Sequence, residues 1–175
     1  MSLADLLAAL AVLGLVLGAT LGVLEQGQRL YGAGVARLEA QQSARVGLER
    51  MAREIRQAGY GAPELPAISV AERSRLVLHL DVDGDGAFAA PRESITWSLS
   101  RRALRRSAGA GAQPVVNGVR DLIFTYADAR GAPTTLPADV RTVGMTLVAE
   151  PEHLAADPAR HAVATYTTQV RLRNR

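Results

Sequence analysis

MSLADLLAALAVLGLVLGATLGVL, residues 1–24, decides how the rest of the chain is read. From Leu6 to Leu24 it holds no Asp, Glu, Lys or Arg. A helix over that stretch, rising ~1.5 Å per residue, spans roughly 28 Å, close to the ~30 Å hydrocarbon core of a bilayer. The stretch is too long for a signal-peptide core and has no basic flank before it. It predicts a membrane-spanning helix, with a buried core helix as the competing reading. Gly14, Gly18 and Gly22 recur at a spacing of four. That spacing lets helix backbones approach closely in lipid. Each glycine also costs ~1 kcal/mol of helix propensity relative to alanine. The pattern marks either a packing face or a segment that melts on leaving the membrane, and both readings stand.

Asp5 is the one acid ahead of this stretch. An acid at mid-bilayer costs roughly 2.5–3.5 kcal/mol on insertion scales. At a helix start it lies near the interface and favours the positive end of the macrodipole. Two roles follow: an interfacial acid compatible with the dipole, or an acid that pairs with a cation inside an assembly. The nearest such cation is the amine of Met1, on the same chain or on a neighbour.

The polar continuation of the helix is legible from its spacing. Leu48, Met51, Ala52, Ile55 and Gly59 follow i, i+3, i+4, i+7 periodicity, the mark of one buried face. Tyr31, Val35 and Leu38 extend the stripe backwards until Gln41-Gln42-Ser43 interrupts it. Glu49 and Arg53 sit at i,i+4, an acid-to-base pair worth ~0.2–0.5 kcal/mol. A helix is expected over about 2–57, bent or locally unwound between 14 and 34, where glycines cluster. Gly59, Gly61 and Pro63 supply the stop.

After Pro66 the period becomes two. Leu76, Leu78 and Leu80 alternate with Val77, His79 and Asp81, and Ile95, Trp97 and Leu99 with Thr96, Ser98 and Ser100. Leu122, Phe124 and Tyr126 do the same, as do Val143, Met145 and Leu147, and Val163 to Leu172 is a last, Thr-rich strand. These read as half-buried antiparallel strands covered by the amphipathic part of the helix. The fold class is α+β, a long N-terminal helix packed on an antiparallel head. Three parts follow: 1–24 as the apolar helix half, 25–58 as the amphipathic half, and 59–175 as the β-rich head. Segments 127–139 and 150–161 read as loops.

With no cysteine in the chain, disulfides and Cys-based zinc sites are excluded. All 20 basic residues are arginine and the net charge is only +3, so nucleic-acid affinity does not follow from composition. Arg101-Arg102-Ala-Leu-Arg105-Arg106 reads as a solvated hairpin, with no interleaved aromatics to stack bases. DNA binding is not expected, though the sequence leaves it open. His79, His153 and His161 are scattered, and no HExxH, GxSxG or P-loop occurs, so the reading is a non-enzyme.

Asp81-Val-Asp83-Gly-Asp85-Gly86 matches the first half of an EF-hand loop. Its twelfth position is Arg92, where a bidentate Glu belongs, and Glu93 comes one residue late. Two readings stand. One is a strand-linking turn rich in Asp-Gly. The other is a non-EF-hand calcium site using Asp81, Asp83, Asp85 and Glu93. No cofactor is otherwise required.

MSLADLLAALAVLGLVL resembles the mature N-terminus of type IV pilins and type II secretion pseudopilins, with Met1, Ser2, Leu3 and Asp5 at the matching positions. Asp5 stands where that superfamily carries Glu, which shortens the reach by one methylene. ARVGLERMAREIRQAGYG (Ala44 to Gly61) is similar to the end of the first helix in PilW-type minor pilins and J-type pseudopilins. LVLHLDVDGDG, SITWSLSRRALRR, VVNGVRDLIFTYAD and TTQVRLRNR fit the PilW-type pattern in the same order. The resemblance implies a leader ending in Gly removed by a prepilin peptidase, and N-methylation of Met1. It also implies an Asp5 that neutralises the residue-1 amine of an adjacent subunit. It further implies a single-pass protein of the bacterial inner membrane with a periplasmic head, later part of an extracellular filament. Its partners would be other pilin subunits, the inner-membrane assembly machinery and the prepilin peptidase. A minor pilin is the first expectation. A type II secretion pseudopilin, or a bitopic membrane protein with a calcium-binding head, is the alternative.

Overall fold

The computed structural model describes residues 2–150 and 163–174. One helix, α1 (Leu3–Gln57), runs without interruption for 55 residues. The expected unwinding between 14 and 34 is therefore absent. Proline, the strongest breaker, does not occur in α1. Each glycine weakens the helix only by ~1 kcal/mol, and propagation over many residues absorbs that.

The two halves of α1 differ sharply. Residues 2–32 are exposed, and the most apolar window of the helix has none of its surface covered by the head. The buried-core-helix reading of the first half therefore fails. The helix is long and apolar enough to cross a membrane by length and composition. Burial begins further on, at Ala44, Gly47, Leu48, Met51, Ala52 and Ile55. Fully burying a Leu, Met or Ile contributes ~1.5–3 kcal/mol each, so this short face anchors the head. The backward extension of the stripe does not join it: Tyr31 is 76% and Leu38 66% exposed.

Eight strands follow: β1 (Ile68–Ala71), β2 (Arg75–His79), β3 (Ser94–Ser100), β4 (Ala103–Ser107), β5 (Ala112–Asn117), β6 (Val119–Ala127), β7 (Thr142–Ala149) and β8 (Ala164–Arg171). They form two antiparallel sheets, β1-β2-β3-β4-β5 and β6-β7-β8. The sheets meet where the Val119 N–H donates to the Arg102 carbonyl (2.8 Å) and the Phe124 N–H to the Arg73 carbonyl (2.7 Å). The helix lies across β7 and β8 and reaches β5. All the predicted alternations appear as strands, with Ile95, Trp97, Leu122, Phe124, Tyr126, Val143, Met145 and Leu147 in the core. Leu80 falls just beyond the end of β2. The loop expected at 127–139 carries one 3₁₀ turn, Pro137–Asp139. Almost all of the 150–161 loop, with His153 and His161, lies outside the described residues.

Three side-chain arrangements join helix and head. Glu54 accepts from the Trp97 indole N–H (2.8 Å) and from Arg106 Nε (2.8 Å), tying α1 to β3 and β4. Gly47 lets α1 approach β5, because a Cβ there would come within 2.5 Å of Val116 Cγ2. Asn174 donates to the carbonyls of Gln57 and Ala58 (3.3 Å each), covering the helix's last acceptors. Glu49 does not pair with Arg53; it accepts instead from Arg45 Nε at 3.0 Å, one turn earlier.

Candidate functional site

Two regions carry the candidate residues: the start of α1 and the β2–β3 connection.

At the helix start, Ser2 is the N-cap in an extended conformation, and its Oγ accepts from the Asp5 N–H at 3.2 Å. Asp5 Oδ2 reciprocally accepts from the Ser2 N–H at 2.8 Å. This is a capping box, which satisfies two of the donors a helix start leaves open. Asp5 thus has a local task besides any assembly role. Its carboxylate is turned back towards the N-terminus, onto the Ser2 N–H. Sequence reasoning named Ser2 only as part of the N-terminal motif and missed its capping role, although Ser-x-x-Asp before an apolar run is the capping-box signal. Met1 lies outside the described residues. Behind this cap, nothing beyond the helix's own neighbouring backbone lies within 4 Å of where a Cβ would sit at Gly14, Gly18 or Gly22. Nothing in the head requires those glycines.

In the head, the chain leaving α1 turns at Gly59 (φ 78°) and Gly61 (φ 83°), the predicted stop. The Gly59 N–H donates to the His79 carbonyl (2.8 Å), and the Asp81 N–H to the Tyr60 carbonyl (2.9 Å). Gly61 sits directly against Asp81: a Cβ there would lie 2.6 Å from the Asp81 Cβ. The end of the helix therefore fixes the start of the acidic loop.

The loop folds around two buried carboxylates, Asp81 at 2% and Glu93 at 0% exposure. Asp81 accepts from the N–H groups of Gly84 (2.6 Å) and Gly86 (3.0 Å). Glu93 accepts from those of Val82 (3.1 Å) and Ala90 (2.7 Å). Asp83 and Asp85 are exposed and accept from Asp85 N–H and Ala87 N–H respectively. Burial acts to raise the Asp81 pKa, but the backbone N–H donors outweigh it and hold the carboxyl below its ordinary value. For Asp83 the Asp85 N–H lowers the pKa. Desolvation and repulsion from Asp85, Glu93 and Asp81 outweigh that bond and push it up.

One oxygen from each of Asp81, Asp83, Asp85 and Glu93 lies within 4.8 Å of the others. Ligands at 2.3–2.6 Å from one calcium ion can be at most about 5 Å apart, so the spacing fits. The donors are all hard oxygens, and each carboxylate keeps lone pairs beyond those used by backbone N–H groups. Arg92 explains the late acid: its left-handed φ of 82° turns the chain so that Glu93 points inward. No helices flank the loop, so it is not an EF-hand. His79 lies beside it, between Ser94 Oγ (2.9 Å) and Ser69 Oγ (2.7 Å) and stacked on Phe88. Burial lowers its pKa, which suits a neutral, sheet-covering imidazole.

The arginine run forms the predicted hairpin. Arg101 and Arg102 occupy the two-residue β3–β4 turn at φ 52° and 57°. The run is not wholly solvated: Arg102 is held by Glu150, and Arg106 by Glu54.

A search of solved structures finds a type IV-like pilin from Thermus thermophilus, with a TM-score of 0.52 and 14% sequence identity. The match covers 77% of this chain and 97% of that one. The fold is therefore type IV pilin-like: a long, apolar-ended N-terminal helix packed on antiparallel sheet. No protein-family model and no curated protein sequence matches the chain.

Proposed function

We propose that this chain is a type IV pilin-like structural subunit, and specifically a minor pilin of the PilW type acting in pilus initiation or at the tip. The observation that supports it most is the helix: one continuous element whose apolar half is bare and whose amphipathic half belongs to the head. Residues 1–24 anchor the subunit in the inner membrane before assembly, with the head in the periplasm. The same surface then packs against other subunits in the filament core. Gly14, Gly18 and Gly22 fit close approach there, since the head makes no use of them. Asp5 pairs with the amine of residue 1 on a neighbour. The assembly machinery and prepilin peptidase are its partners on the way, and 25–58 and 59–175 act as stalk and head.

The test is co-expression with a type IV pilus machinery, followed by separation of sheared filaments from membranes. Wild-type chain is expected in both fractions. Asp5→Ala is expected in the membrane fraction and depleted at least about tenfold from filaments, an assembly defect of ~1.4 kcal/mol or more. Wild-type chain absent from filaments refutes the pilin reading; normal incorporation of Asp5→Ala refutes the pairing alone.

Within that reading, we infer that Asp81, Asp83, Asp85 and Glu93 hold calcium in the head. The donor set and spacing support it. The ion would supply positive charge to two buried carboxylates that have no basic partner among the described residues.

A further inference from the structure

Between α1 and β8 runs a groove of ≈ 1070 Å³. Its floor is apolar, with Leu48 and Ala52 each 6% exposed. One wall is β8 itself, through Thr165, Tyr166, Thr167 and Thr168. The other is the outer rim of α1.

The β8 wall is a sheet edge. β8 pairs with β7 alone, so among the described residues the N–H and C=O groups of its far side have no strand partner. Proteins blunt such edges with short strands, bulges, prolines or charges. β8 has none of these along most of its length. It is eight residues long, is in regular register with β7, and carries a charge only at Arg171, its last position. Its threonines favour the extended state.

The helical wall carries three arginines, Arg45, Arg53 and Arg56, against one acid, Glu49. Arg45 is engaged by Glu49, but Arg53 and Arg56 have no acidic partner among the described residues. Both are exposed along the groove. A chain lying beside β8 would direct alternate side chains towards α1.

We propose that this groove receives an extended acidic segment of a partner protein, which adds a strand to the free edge of β8 and sets its carboxylates against Arg53 and Arg56. The backbone ladder supplies affinity, and the arginines select charge at every second position. A nucleic acid is disfavoured because Tyr166 is the groove's one aromatic and is half-buried. The proposal does not depend on filament assembly.

The test uses the full chain in detergent micelles and two synthetic peptides, one alternating valine with glutamate and its valine–glutamine counterpart. The glutamate peptide is expected to bind about tenfold tighter and to slow amide exchange in residues 165–168. Replacing both arginines, Arg53→Ala with Arg56→Ala, is expected to weaken it about two- to thirtyfold, the range for two exposed charge pairs. Both sites are exposed, so the melting temperature should not change. Four results would each overturn the proposal: no binding up to about 1 mM, equal binding of the two peptides, binding without slowed exchange in β8, or preference for a single-stranded oligonucleotide.

Discussion

Glu54 offers the sharpest test of how helix and head are joined. Its side chain is 13% exposed and accepts two hydrogen bonds, from Trp97 Nε1 and Arg106 Nε at 2.8 Å each, with Arg50 Nε beside it as an ion pair at 3.5 Å. Trp97 is wholly buried. Glu54→Ala strands the indole N–H away from water, at about 1–3 kcal/mol. It also releases Arg106, whose 21% exposure lets it turn to solvent, so that loss is closer to the ~0.2–1 kcal/mol of a surface pair. The sum is about 1–4 kcal/mol. Glu54→Gln keeps an oxygen for the indole and loses the charge, so about 1 kcal/mol is expected. For a chain of this length each kcal/mol moves the melting temperature by roughly 2–4 °C. The chain has one tryptophan, so its fluorescence reports on this site directly during denaturant or thermal unfolding in micelles. The alanine variant should also red-shift native emission. If glutamine proves as costly as alanine, the indole bond is not the main term. If both variants stay within about 0.5 kcal/mol of wild type, as ordinary surface changes do, the clamp contributes nothing.

Gly47→Ala should destabilise the head despite a helix-propensity gain of ~1 kcal/mol, because overpacking against Val116 costs about 1–3 kcal/mol. Gly32→Ala, at an open position, should raise helicity by circular dichroism; if Gly47→Ala does likewise and melts no lower, the close approach to β5 is wrong. Calcium in the millimolar range should raise the melting temperature by about 5–10 °C if it reaches ~100-fold over Kd, worth ~2.7 kcal/mol. Asp83→Asn should abolish most of that shift, and an unmoved melting curve for wild type would leave the loop a plain turn. Ser2→Ala should cost ~1 kcal/mol of helix-end stability, read as faster amide exchange in the first turn.

Much of the architecture could be read from residue spacing. A charge-free run from Leu6 to Leu24 and the Leu48–Ile55 face define α1, and alternation marks five strands including Thr-rich β8. A sixth, β4, was implied by the arginine hairpin, and two strands were hidden. β1 is only four residues long, and β5 contains Pro114, which usually argues against a strand. The structure places β5 at the end of its sheet, where a missing N–H is tolerated. Alternation also shows which face is buried without naming the neighbour, so the division into two sheets could not be foreseen. The four acids singled out from the sequence lie close together, but the inward Glu93 depends on the left-handed Arg92, which no propensity signals. Glu54 passed for one of several surface charges because its indole partner lies 43 positions away.

The unbroken helix has a mechanical consequence. A pull on its exposed apolar half is carried along a stiff rod to residues 44–58, where no flexible joint intervenes. Such a load slides the rod past the strands it crosses. Trp97, Val116 and the carbonyl contacts of Asn174 then resist together in shear, and do not peel away one at a time. The head is thereby gripped at both of its sheets.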